Sequence, residues 1–194
     1  MRVRVLSKQR FTVVALILAG TAGLFWWLWR DDSGDAPLPP LENPRLVVRK
    51  NKRQLQVFDN EKLVKIYRIA LGSNPFDDKQ TEGDGRTPEG DFYLAVKNPA
   101  SKFHRSFGLN YPNAEDAARG VENNLISSDE YEAIVRANAE NRLPPQKTGL
   151  GGEIYIHGGG TTSDWTAGCI ALKDEQIEEL FDAIPRGAPI RVEK

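Results

Sequence analysis

The stretch IYIHGGGTTSDWTAGCIAL, Ile154 to Leu172, carries the decisive reading of this chain. A strand-like run, Glu153 to Ile156, ends at His157; three glycines follow, and the only cysteine of the sequence, Cys169, stands directly after Gly168. Strand ends and the loops beyond them are where reactive groups are usually presented. A free thiol has a pKa near 8.5, so only about 3% is thiolate at pH 7, and an imidazole that takes or shares the proton raises that fraction. Gly168, lacking a Cβ, lets a substrate carbonyl approach the backbone, so that amide N–H groups around Gly168 and Cys169 can face a developing oxyanion. The bland alternatives are a buried hydrophobic thiol and a satisfied structural histidine. Trp165, four residues before the cysteine, reads as a pocket wall or as core. Ser163 or Asp164 reads as an orienter of the imidazole or as a loop cap. His104, within SKFHRSFGLNYPN, reads as lining the site or as strand packing.

Working outward, the chain has 194 residues, 27% charged and 40% apolar, which suits one folded domain with appendages. Five of its 26 basic residues, and none of its 27 acidic ones, fall in residues 1 to 30. The remainder is therefore mildly acidic with no basic stripe, which argues against nucleic-acid binding. A single cysteine excludes an internal disulfide and any two-cysteine metal motif. A metal site built from His104, His157 and Cys169 has too few ligands at recognisable spacing to compete.

Phe11 to Trp29, FTVVALILAGTAGLFWWLW, is 19 residues without a charge, close to the ~20 that a helix needs to cross a bilayer. Basic residues precede it and Asp31, Asp32 and Asp35 follow, so the positive-inside rule predicts a cytoplasmic tail (1–10), a single-pass anchor (11–29) and an exported remainder. A cleavable signal peptide is the competing reading, but Leu24, Phe25 and Trp26 continue the apolar run beyond Gly20-Thr21-Ala22, the small-residue site it would use. Residues 30–44, including DDSGDAPLPPLENP, read as a semi-rigid linker.

The globular part, 45–194, is expected to be mainly β with α insertions. Strand-like runs cover Leu46 to Arg49, Gln54 to Phe58, Leu63 to Leu71 and Asp91 to Val96, and Pro189 to Val192 closes the chain. Ser127 with Glu130 predicts a capping box for a helix bearing Tyr131, Ile134, Val135 and Asn138. Residues 113–152 read as a helical insertion able to cover one side of a site. A last helix carries Ile177, Leu180, Phe181 and Ile184, with Asp174 as its expected cap.

The cysteine segment resembles the signature of the YkuD-type L,D-transpeptidases, in which a His-Gly pair precedes a Ser/Thr-x-Gly-Cys-hydrophobic element. Here these are His157-Gly158 and Thr166-Ala167-Gly168-Cys169-Ile170. DGRTPEGDFYL, Asp84 to Leu94, and FGLNYPNAEDAARG, Phe107 to Gly120, are also similar to that family, with the YafK-like subgroup nearest. The strand spacing suggests a β-sandwich or barrel, the resemblance implies a β-rich YkuD-type domain, and the anchor reading puts it at a bacterial inner membrane, facing the periplasm. It implies Cys169 as nucleophile, His157 as base, and Gly158, Thr166, Trp165, Ser163, Asp164 and His104 as candidates for substrate contact. The substrate would be a peptidoglycan tetrapeptide stem: the thiol attacks the meso-diaminopimelate to D-alanine bond, D-alanine leaves, and the thioester passes to an amine, giving a 3-3 cross-link or a wall-attached lipoprotein. Sensitivity to carbapenems is implied, and neither metal nor organic cofactor.

Two features depart from the family pattern. Ala171 stands where many members carry an arginine two residues after the cysteine, and only eleven residues separate His157 from Cys169. They keep open a hydrolase of the same fold, with water as acceptor. A non-catalytic wall-binding module is the remaining alternative.

Overall fold

The computed structural model describes residues 36–194; the basic tail, the predicted anchor and most of the linker lie outside the described residues. Among the described residues, no helix is long and apolar enough to cross a membrane.

Eight strands form one sheet: β1 (Pro44–Arg49), β2 (Gln54–Asp59), β3 (Lys62–Arg68), β4 (Gly90–Ser101), β5 (His104–Leu109), β6 (Tyr155–His157), β7 (Ile170–Ala171) and β8 (Pro189–Glu193). Their order is β3-β2-β1-β8-β4-β5-β6-β7. The β1–β8 and β6–β7 pairs are parallel, and the others are antiparallel. The expected β-rich domain is thus a single sheet curled into a half-barrel, not a two-sheet sandwich.

The curl comes from β4. Gly90 to Tyr93 pair with β8, and the strand then changes partner to β5 with register shifts at Leu94/Val96 and Asn98/Ser101. Each irregularity adds local twist, which turns the second half of the sheet away from the first. The strand expected over Leu63 to Leu71 stops at Arg68. Past that point the chain crosses to the far edge of the sheet, where Ala70 and Ala171 exchange both backbone hydrogen bonds (2.9 and 2.8 Å).

Helix α3 (Asp174–Ala183) covers the inner face. Ile177, Leu180, Phe181 and Ile184 recur at helical spacing and join Phe107, Leu109, Ile156 and Ile170 in the main core. Fully burying each such side chain is worth about 1.5 to 3 kcal/mol. Asp174 is not the cap of this helix: Lys173 holds that position, and the Asp174 carboxylate instead accepts the Gly159 N–H at 2.8 Å.

Two further helices, α1 (Ala114–Glu122) and α2 (Ser128–Ala139), lie within residues 113–152, and each starts on a capping box. Asn113 and Asp116 close the first; Ser127 and Glu130 close the second, as the sequence predicts. Ala117, Ile126, Ile134 and Leu150 form a small core of their own beneath them.

Candidate active site

The β6–β7 register places the two reactive side chains. Ile156 pairs with Ile170 and both are fully buried in the core. Side chains alternate across a strand, so His157 and Cys169, one residue beyond and one before that pair, share the opposite face. Both line a cleft of about 470 Å³ with Phe103, Tyr155 and Glu153.

His157 is 4% exposed. Its Nδ1 lies 2.6 Å from the Gly158 carbonyl, an oxygen that can only accept, so Nδ1 carries the hydrogen and Nε2 keeps its lone pair. Burial lowers the pKa of the imidazole, with the Gly158 hydrogen bond opposing. Phe103 stacks on one face of the ring, centroids 4.7 Å apart, and Trp165 meets it edge-on at 5.6 Å.

The Cys169 sulfur accepts the Tyr155 N–H and donates to the Glu153 carbonyl, each at 3.4 Å. Burial raises the thiol pKa; the Tyr155 amide and the Lys79 ammonium oppose this, while Glu153 adds to it. Among the described residues no hydrogen bond joins the thiol to His157. The two share a cleft and a face.

The turn that presents the thiol is braced from within. Thr166 Oγ1 donates to the Cys169 carbonyl at 2.7 Å and accepts the Gly168 N–H at 3.1 Å. The Gly168 amide is therefore engaged and is not a free oxyanion donor, contrary to the sequence expectation. What the position requires is glycine's backbone: φ is +133°, and a Cβ would lie 2.7 Å from the Arg86 carbonyl. Gly158 is likewise a close-approach glycine, since a Cβ there would lie 2.4 Å from Asp174 Oδ1.

The remaining candidates are dispersed. Asp164 does not bond the imidazole: it accepts from Nε and Nη2 of Arg53, one edge of the guanidinium, and from the Leu71 N–H at 2.9 Å. It ties the cysteine loop to the chain after β3. Ser163 is exposed. His104 opens β5 and pairs with Glu178 at 2.7 Å, outside the cleft lining. Trp165 donates its indole N–H to the Gly160 carbonyl and closes the aromatic group over His157.

A second cleft, of about 650 Å³, meets the first at Cys169 and Glu153, and runs between the Lys79–Gly83 loop and residues 146–154. Lys79, 2% exposed, bonds Asp84 at 2.9 Å beside it. Against the push of burial, the Gln80 amide and the Lys79 ammonium hold the Asp84 carboxyl below its ordinary range. Asp84 was not among the site candidates read from the sequence. Its proximity to the thiol depends on the Arg86 carbonyl packing over Gly168, for which no local pattern gives a signal.

A curled mixed sheet thus brings a thiol and an imidazole to one cleft beside the β6–β7 pair. Residues 43–192 match the YkuD family, the L,D-transpeptidase catalytic domain, and the chain belongs to that family. Over 142 residues it is 25% identical to a curated Escherichia coli (strain K12) protein named "Putative L,D-transpeptidase YafK", covering 70% of this chain and 44% of that one. The match thus spans less than half of that relative's length. Among solved structures, the helical cell shape determining protein Pgp2 from Campylobacter jejuni superposes with a TM-score of 0.53 at 22% identity, covering 88% of this chain and 55% of that chain. Bdellovibrio bacteriovorus Bd1075 gives 0.50 at 22% identity, covering 81% and 52%. These two show the shared fold.

Proposed function

We propose that the protein is a peptidoglycan L,D-transpeptidase working through a thioester on Cys169. The carrying observation is that Cys169 and His157 line one cleft, with His157 Nδ1 occupied by Gly158 and Nε2 left as the proton acceptor. His157 Nε2 takes the thiol proton as the sulfur attacks the carbonyl carbon of the meso-diaminopimelate to D-alanine bond. The tetrahedral intermediate collapses as that proton passes to the leaving amine, and D-alanine departs. An amine of a second stem, or of a lipoprotein, then attacks the thioester and gives its proton to His157, and the sulfur regains one. The meeting of two clefts at the sulfur supports two routes to the same carbonyl. The apolar segment Phe11 to Trp29 supports a single-pass anchor that places this chemistry on the periplasmic side. By likeness to the Campylobacter protein, a part in cell shape is included in the proposal.

Ala171 supports a second reading, a hydrolase with water as acceptor. It is fully buried and bonded to Ala70, and offers no guanidinium for a substrate carboxylate. Incubating the 194-residue chain with a carbapenem or a tetrapeptide muropeptide and weighing it intact tests the thioester. An adduct lost in Cys169→Ala is expected; no adduct would leave a wall-binding module. A 3-3 dimer among the products identifies the transpeptidase, whereas trimmed or released species alone identify the hydrolase.

A further inference from the structure

We propose that Phe103 is a positioning residue for His157: its ring covers one imidazole face, excludes water there, and keeps the plane in which Nδ1 bonds Gly158 and Nε2 is left for the thiol. This rests on the reading of His157 as the base.

Phe103 is at the tip of the β4–β5 hairpin, where Ser101 pairs with His104 across a two-residue turn. Its ring lies 26° from parallel to the imidazole with centroids 4.7 Å apart, which is a stacked geometry. Trp165 stands edge-on to both rings, 5.6 Å from His157 and 5.5 Å from Phe103. The hairpin tip is tied down at three points: the Gly158 N–H donates to the Phe103 carbonyl at 2.9 Å, the Phe103 N–H donates to Ser101 Oγ at 3.2 Å, and His104 pairs with Glu178.

Phe103 is nevertheless 46% exposed. A phenyl ring that leaves nearly half its surface in water adds little to the core, yet it is held flat against the one buried histidine. Packing alone does not account for its place.

The titratable groups around the imidazole are Cys169, Tyr155 and Glu153 on its own face of the sheet, Lys102 and His104 of the hairpin, and Asp174 and Glu178 of α3. Among the described residues none of them hydrogen-bonds or ion-pairs with the ring. The lowered pKa of His157 thus follows burial, and Phe103 supplies one wall of that burial. Removing the phenyl lets water reach the ring, so the imidazole becomes easier to protonate and is lost as a base at higher pH.

The chain has two histidines, so the full-length protein labelled in its imidazole carbons gives two titrating signals, which His104→Gln assigns. Phe103→Ala is expected to raise the His157 pKa by about half to one unit, and to move the acid limb of carbapenem acylation by the same amount. On the acid limb, well below both pKa values, the acylation rate should fall about 3- to 10-fold, in line with that shift. Phe103→Tyr, which keeps the stacked face, should restore both, and Phe103→Leu, which keeps bulk without a flat ring, should not. An unchanged His157 titration in a folded Phe103→Ala overturns the proposal, as does a rise in KM alone, which would make the ring a mere cleft wall. If His157→Gln acylates as fast as the wild type while the titration still shifts, the general-base reading falls and the water-excluding part of this one stands.

Discussion

Burial pushes the Cys169 thiol above its ordinary pKa and the His157 imidazole below its own, so at neutral pH the pair rests as thiol and neutral base. On the proposed mechanism the thiolate forms during attack, when His157 Nε2 takes the proton, and is not stored beforehand. Two pH profiles should therefore separate. Simple alkylation by iodoacetamide, which needs free thiolate, should keep rising beyond the ordinary thiol pKa. Carbapenem acylation should instead reach its plateau through a pKa below that of a free histidine. Coincident profiles would argue for a preformed ion pair. His157→Gln is expected to slow acylation about 100- to 10,000-fold, the usual share of a positioned acid or base. At Gly168, an alanine must hold φ near +133° with its Cβ against the Arg86 carbonyl. Gly168→Ala should cost about 1 to 3 kcal/mol in urea unfolding and displace the thiol, so unaltered stability and acylation would refute this account of the turn.

At the scale of elements, the cysteine loop holds its place through Asp164 as much as through β7, which has two residues. Asp164→Ala leaves the buried Leu71 N–H without its acceptor and unpairs Arg53. A loss of about 1 to 3 kcal/mol is expected, with slower acylation but an unchanged His157 titration; a shifted titration would mean that Asp164 acts on the imidazole after all. Helices α1 and α2 stand on their own small core, in which Ile134 is fully buried. Ile134→Ala should cost about 2 to 4 kcal/mol and loosen the cleft bordered by Glu130 and residues 146–154. Muropeptide KM should then rise while thiol alkylation is unaffected. If alkylation slows equally, the insertion supports the thiol itself and not the cleft.

For the whole molecule, what was legible in the sequence followed from periodicity. The alternating runs of β1, β2 and β8, the Ser127 capping box and the apolar stripe of α3 are local patterns, and the structure places each within a residue or two of its expected span. Strand β5 showed only through the strand-packing alternative for His104, because SFGLNYP has no clean alternation: Ser106 to Leu109 are all buried. Helix α1 was not separated out within the helical insertion, because only Asn113 and Asp116 mark its start, with few apolar residues to set a stripe. The half-barrel curl was equally hidden, since it arises from register shifts in β4 that depend on which neighbour each half of the strand meets.

By itself the sequence determined the chemistry available: one thiol after a glycine, one imidazole at a strand end, and the strand and helix periods that carry them. The tertiary structure alone decided which imidazole nitrogen keeps its lone pair, that Thr166 engages the Gly168 amide, that Asp164 serves Arg53, and that Phe103 covers His157. The division has a physical cause. Side-chain alternation and helix capping are set by neighbours a few residues apart, whereas these contacts join segments far apart in the chain, brought together only when register and core packing fix the sheet.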